Sequence, residues 1–363
     1  MKTCDLLDEN LKLLLKDDVL LLTSGAEMTV VSSAVYNGGL KKAKFLLNMH
    51  VPEKYDQKLL HENPELIIID KIKELKLSLE QSVGMVTAAE TKNFSLMSKD
   101  AGNLRVNAIV TAGCSFAETA GEPIEASLIP LGTINTIVVI HGRPTESCLL
   151  QAFITATEAK TASLRELDVR SKYSGDLATG TITDSLIIAS TDKGSNVSFG
   201  GPASKLGKLV GYCTKEAVKN ALIKQSRLHL GRSIFKRFAE RNIPINDFLT
   251  EISQASFLKI NEEEIKLKLF EEIEKKPLFA LILMMASNID EDIKKGLIPK
   301  EFKDIGKLGK EFKENILKIT CEQDHQPNLI TKEKINFNVS PFLKNALVCL
   351  TEGIFYKNQL KRT

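Results

Sequence analysis

The sequence predicts a mixed β-sheet with packed helices, of α/β or α+β class, followed by a helical C-terminal domain. Three observations predict it. Residues 131–190 read as strand, helix, loop and strand. Further short apolar runs within residues 29–31, 84–87 and 105–115 bring the strands to at least five, and long segments that read as helices separate some of them. After Ser226 the strand-like runs give way to helical patterns punctuated by Pro244, Pro277, Pro299, Pro327 and Pro341. The expected division is residues 1–225 and residues 226–363.

Residues 6–22 alternate leucines with charges and fit either a strand pair or a short amphipathic helix. Residues 29–31 are a strand, ended by Ser32 and Ser33; Asn37, Gly38 and Gly39 make a turn, and residues 40–47 then read as a helix. A small polar loop ahead of a helix would offer unpaired amide hydrogens to an anionic or carbonyl oxygen, or be an ordinary tight turn. The strands at 84–87 and 105–115 end in Thr87 and Thr111, each followed by Ala or Gly, which lets a bulky ligand approach the backbone. Residues 136–140 (TIVVI) are β-branched and lie between Gly132 and Gly142, so a strand is favoured. Residues 149–167 form a helix with an unusual polar middle, in which Thr157, Lys160 and Thr161 share a face and Glu158 sits beside them. Thr179, Thr181 and Thr183 alternate, so an extended backbone would line them on one side ahead of the apolar run 185–189. Residues 206–224 are an amphipathic helix. Beyond them, residues 227–241, 247–258, 262–274, 278–287 and 341–356 read as helices. The cluster Arg227, Arg232, Lys236, Arg237 and Arg241 reads as a solvated helix face, and the SxxK spacing of Ser256 and Lys259 as coincidence.

A chain of 363 residues, 43% hydrophobic and 26% charged, is long and apolar enough to bury a sizeable core. A net charge of +3, no Trp and 6% aromatic residues point away from nucleic acid and from a membrane surface. The longest apolar run, residues 278–286, is shorter than the ~20 residues a bilayer span needs. The N-terminus mixes leucines with acidic and basic residues, unlike a signal peptide. Six scattered cysteines without a CxxC pair favour free thiols in a reducing cytoplasm, which is the expected location. Nothing sets an oligomeric state.

Residues 132–136 (GTINT) and 156–185 (ATEAKTASLRELDVRSKYSGDLATGTITDS) resemble the adenosylcobinamide amidohydrolase family. So do SSAVYNGGL from Ser32, GMVTAA from Gly84, NAIVTAG from Asn107 and GPASKLGKLVGYCTKEAV from Gly201. The resemblance covers about residues 28–221. It implies a corrinoid substrate, cleaved at the amide between the aminopropanol arm and the corrin ring to give adenosylcobyric acid. The cobalt would belong to that substrate, so no protein cofactor or metal is expected.

The familiar hydrolase signatures are missing: there is no GxSxG elbow, no HExxH, and no metal-spaced pair among the five histidines. His141 departs from the acidic residue usual in the family at that position, and Cys114 has no sequence-adjacent His. With those signatures absent, the working assignment takes Glu158 or Asp184 as general base, with Lys160 stabilising charge or tuning the pKa of a neighbouring group. Asn135, Thr136 and the Gly132 backbone face the substrate amide, and Tyr173 and Asp176 complete a polar rim. Glu158 pairing with Arg165 on the helix surface is the bland alternative. An N-terminal Thr made by cleavage before Thr133, Thr179 or Thr181 is a further variant. A corrinoid-binding protein without catalysis, and a transferase using residues 174–184 as a phosphate loop, are the competing functions.

Overall fold

A computed structural model describes residues 2–5, 10–52, 55–123, 132–226, 228, 231–255, 261–298, 304–321 and 341–360. The chain divides into two units, Met1–Arg232 with Glu240–Asn242, and Ser233–Ala239 with Ile243–Thr363. The class is the expected one: a mixed sheet with packed helices in the first unit and helices in the second.

The first unit opens with an antiparallel meander of β1 (Lys2–Asp5), β2 (Leu11–Lys16), β3 (Val19–Ser32) and β4 (Gly39–His50). Helices α1 (Gln57–Glu62) and α2 (Glu65–Glu74) cross to β5 (Ser82–Thr87), parallel to β4. A hairpin follows, β6 (Ser95–Ala101) and β7 (Leu104–Gly113), then the short β8 (Ala117–Glu118). Next come β9 (Thr133–His141), β10 (Arg143–Pro144), α3 (Glu146–Glu166), β11 (Gly180–Thr181), β12 (Ser185–Ser190), β13 (Asn196–Val197) and α4 (Lys205–Ser226). Nine strands form one sheet in the order β1-β2-β3-β12-β9-β7-β6, with β4 and β5 branching from β3. β12 is parallel to β9 and antiparallel to β3.

The branch arises because β3 is fourteen residues long. Its first half pairs with β2 and its second with β12, while β4 runs beside both halves. A register shift between Thr23 and Met28 bends it there. The two halves of the sheet thereby face each other across an apolar layer containing Leu22, Leu46, Met85, Ile109, Ile137 and Ile187. The alternate residues face outward: Val110, Val138 and Ile188 pack on α3 and α4, and Leu21 and Leu47 on α2. This period of two is the reason the runs are strands.

The expected helix over residues 40–47 is instead the core of β4. Lys, Leu and Ala favour helix in isolation. Here hydrogen bonds to β3 on one edge and β5 on the other, with Ala43, Leu46 and Leu47 fully buried, outweigh that preference. Asn37 and Gly39, at φ 53° and 86°, make the reversal between two strands, so no helix N-terminus exists there for an anion. Residues 6–22 resolve toward strands, although residues 6–9 lie outside the described residues.

The second unit contains α5 (Ile234–Glu240, whose last residue belongs to the first unit), α6 (Ile245–Ala255), α7 (Glu262–Lys275), α8 (Pro277–Lys295), α9 (Ile305–Cys321) and α10 (Phe342–Leu360). Phe238, Leu249, Leu269, Leu283 and Leu347 fill its core. The Asp290 carboxylate accepts the Phe342 and Leu343 amides at 2.7 and 2.9 Å and starts α10. Burial raises that carboxyl above its ordinary value despite the two bonds. The expected helix over residues 227–241 begins only at Ile234, and α9 was not anticipated, since Gly306 and Gly309 weaken its helical signal. Arg227, Ser256 and Lys259 lie outside the described residues.

Of the basic cluster Lys236 is exposed as expected, but Arg232 and Arg241 are not part of a solvated face. The Arg232 and Arg241 side chains are 9% and 6% exposed, and both pair with Asp168, at 3.9 and 2.9 Å. Arg170 joins them at 2.8 Å, and Arg232 also reaches Glu240 at 3.2 Å. Charges this buried persist because they are paired.

Candidate active site

The apolar layer between the sheet halves changes character at one edge. Two residues beyond Leu46, Met85 and Ile109, and two before Ile137, the same strand faces carry Asn48, Thr87, Thr111 and Asn135, all 0–1% exposed. Asn48 donates to Thr111 Oγ1 at 2.8 Å, and Asn135 Nδ2 donates to Asn48 Oδ1 at 2.8 Å and to the Val86 carbonyl at 2.7 Å. Thr87 Oγ1 accepts the Ala89 amide at 3.0 Å. One further step along each strand lie Ala89, Gly113 and Thr133, and there the layer opens. They line a cavity of about 200 Å³ together with Ala88, Ser115, Gly132, Gln225 and Ser226.

Beside the cavity, α3 meets the loop ahead of β12. Lys160 Nζ pairs with Asp184 Oδ2, and their side chains are 16% and 15% exposed. Asp184 also accepts the Ile134 amide at 2.9 Å, the Thr181 amide at 3.1 Å and the Thr181 hydroxyl. Four donors fill the roughly four acceptor positions of one carboxylate, so Asp184 serves as an anchor for the start of β9. Gly180 leaves room for this pair: a Cβ at that position would stand 2.7 Å from Asp184 Oδ2 and 2.8 Å from Lys160 Nζ and would displace their ends. Thr183 Oγ1 lies 2.8 Å from Thr133 Oγ1 and donates to the Gly132 carbonyl at 3.2 Å, which ties this cluster to the cavity wall.

The structure gathers many of the anticipated residues at this edge and separates others. Gly132 lines the cavity; Thr87, Thr111 and Asn135 lie directly beneath it; Lys160, Thr181 and Asp184 form the adjoining cluster. Thr136 is buried but alternation turns it to the opposite sheet face from Asn135. Ser33 Oγ accepts the Leu186 amide at 3.0 Å and Ser32 is buried in β3, so both brace the start of β12. Asn37 holds the Leu79 and Ser82 carbonyls at 3.0 and 2.9 Å, which makes the Asn37, Gly38 and Gly39 turn a structural joint. Glu158 is exposed, about 200° around α3 from Lys160, and Thr157 spends its hydroxyl on the Phe153 carbonyl.

Thr179, Thr181 and Thr183 do not line one strand face, because only Gly180–Thr181 is extended. The Thr179 hydroxyl accepts the Ala120 amide at 2.8 Å, and its carbonyl accepts the Thr161 hydroxyl at 2.9 Å. Tyr173 is exposed on the neighbouring loop, where the Asp176 amide donates to Ser174 Oγ at 3.1 Å. The amides of Asp176, Ala178, Thr179 and Thr181 are all engaged within the protein, so residues 174–184 do not form a phosphate-cradling loop. His141 lies at the far end of β9, ~26 Å from Thr133 at strand spacing.

Cys114 lies beside the cavity with its thiol 3.7 Å from Ser226 Oγ. Burial pushes that thiol above its ordinary value, which suits packing and not attack. Cys114→Ala is expected to leave turnover within about threefold of wild type; a loss beyond that, in a protein of unchanged thermal midpoint, would restore Cys114 as a nucleophile.

Asn48, Ala88, Ala89, Ser115, Gln225 and Ser226 were not anticipated as site residues. Asn48 carries a legible signal, an amide interrupting the apolar run FLLNM. Gln225 carries none, since it is one polar residue at the end of a helix.

An α/β sheet whose inner layer turns polar at one edge and opens there into a small, hydroxyl- and amide-lined cavity has the arrangement in which small-molecule sites commonly occur. The family model for adenosylcobinamide amidohydrolase matches residues 7–230, and the chain belongs to that family. An adenosylcobinamide amidohydrolase of Methanosarcina mazei is 29% identical over 198 residues, 54% of this chain and 84% of that protein. An uncharacterized protein of Methanocaldococcus jannaschii is 28% identical over 212 residues, 53% of this chain and 82% of that protein. Among solved structures, a Pyrococcus horikoshii protein aligns at 12% identity and a TM-score of 0.33, covering 59% of this chain and 83% of its own, a likeness too slight to carry an argument. Among the described residues no helix is long and apolar enough to cross a membrane.

Proposed function

We propose that this chain hydrolyses the amide joining the aminopropanol arm to the corrin ring of adenosylcobinamide, as a cytoplasmic step of corrinoid salvage. The supporting observation is that every residue lining the cavity falls within the span matched by the family model. The cavity volume suggests how such a substrate is held. About 200 Å³ admits the arm and its amide, whereas even drug-sized ligands fill ~300–1,000 Å³, so the macrocycle rests at the mouth. The cobalt arrives with the substrate and has no protein ligand in this reading.

Hydrolysis needs an oriented water, a donor for the oxyanion and a proton for the departing amine. Thr133, hydrogen-bonded to Thr183, orients the water in this proposal. Asp184, neutralised by Lys160, holds the Thr133–Ile134 backbone in place. Asn48, Thr111 and Asn135 keep the cavity floor rigid.

Incubation of the purified, metal-stripped protein with adenosylcobinamide, followed by mass spectrometry, tests the reaction. The expected result is free aminopropanol and adenosylcobyric acid in equal amounts. Corrinoid binding without product, with metal restored as a control, would make this a binding protein instead.

A further inference from the structure

The cavity contains one side chain whose orientation is dictated from outside it. Gln225, in the last turn of α4, lines the cavity, its Cγ lying 3.8 Å from where a Cβ on Gly113 would be. Its Oε1 accepts from Asn93 Nδ2 at 2.7 Å. The same Asn93 nitrogen donates to Glu90 Oε2 at 3.3 Å, and Glu90 pairs with Lys92 at 2.7 Å.

The polarity of this chain is forced. An ionised carboxylate only accepts hydrogen bonds, so the Asn93 group facing Glu90 is its NH₂. That NH₂ serves Gln225 as well, so the Gln225 atom facing it is the carbonyl oxygen. The end of Gln225 left for the cavity is then its NH₂, a donor. Glu90 is ionised at neutral pH like any solvated carboxylate, and the hydrogen bond from Lys92 holds it below its ordinary value.

We infer that Gln225 is a catalytic donor that takes the carbonyl oxygen of the substrate amide in the cavity, with Asn93 and Glu90 as the positioning residues that fix its polarity. The inference rests on the amide-hydrolase reading above and deepens it. A donor fixed before the substrate arrives needs no reorganisation as the carbonyl oxygen gains negative charge, which is where such a contact contributes to rate.

Two variants test this with adenosylcobinamide as substrate. Gln225→Met removes the donor at nearly constant volume, and kcat is expected to fall about 10²-fold with KM changed less than about fivefold. Asn93→Asp faces both Glu90 and Gln225 with an acceptor, so the carboxylate is repelled from Glu90 and Gln225 loses the donor that holds its oxygen away from the cavity. A similar loss of kcat is expected, in a protein whose circular dichroism and thermal midpoint match wild type. A wild-type kcat in either variant overturns the inference, as does a loss confined to KM. Wild-type protein that releases no aminopropanol fails at the earlier step, and the amide-hydrolase reading falls with it.

Discussion

Lys160→Met is expected to lower turnover of adenosylcobinamide by at least about 10²-fold. The Asp184 carboxylate is 15% exposed and shares its charge with Lys160, Thr181 and the Ile134 amide. Without the lysine its charge is uncompensated in a poorly solvated place, and the cost is about 3 kcal/mol. The relief available is movement of the Thr181 loop and of the Ile134 backbone, which carries Thr133 at the cavity wall. Loss of rate should therefore exceed what loss of folded protein explains. Thermal unfolding gives the stability term and single-turnover kinetics on the folded fraction gives the rate. A variant with near-wild-type turnover would remove Lys160 from the mechanism. Lys160→Met combined with Asp184→Asn should recover part of the stability but not the rate, because the uncharged amide no longer accepts from both the Ile134 and the Thr181 backbone.

Gly207→Ala is expected to be the most damaging single-methyl change in the first unit. A Cβ there would stand 1.8 Å from the Gly201 carbonyl oxygen and 2.5 Å from its carbon, and both are backbone atoms that cannot swing aside. Gly200, alongside, is itself pressed against the helix below, where its own Cβ would lie 2.4 Å from the Cys148 carbonyl oxygen. The first turn of α4 must then lift from the loop, pulling Leu206, Leu209 and Val210 out of the layer they share with α3 and the sheet. A cost of about 3 kcal/mol follows, and for a unit of this size it lowers the thermal midpoint by about 6–12 °C. A midpoint within about 2 °C of wild type would show that the helix start adapts freely.

How far the chain is legible depends on the distance over which each feature is decided. The strands at residues 84–87, 105–115, 136–140 and 185–189 are visible because short apolar runs, β-branched in part and bounded by Gly and small residues, are local. The same locality misleads at residues 40–47, where Leu, Lys and Ala spell a helix and only the flanking strands make it β4. It misleads again at Arg232 and Arg241, whose charges read as solvated until Asp168 is seen to hold them. The polar helix middle at Thr157, Lys160 and Thr161 flags a site, but its spacing does not tell Lys160, which reaches Asp184, from Glu158, which faces solvent.

The class of fold, the family, and the strand ends at which apolar residues yield to Thr, Asn and Gly are legible along the chain. Those properties reside in runs of a few residues, where side-chain chemistry and backbone preference act directly. The tertiary structure alone decided which strand ends meet. Sheet register brings Asn48, Thr111 and Asn135 within hydrogen-bonding distance across gaps of 63 and 87 residues. The packing of α4 carries Gln225 to a cavity whose other walls begin at Ala88. A hydrogen bond reaches only about 3 Å, so which remote groups share one is settled by the whole arrangement of strands and helices and by no local pattern.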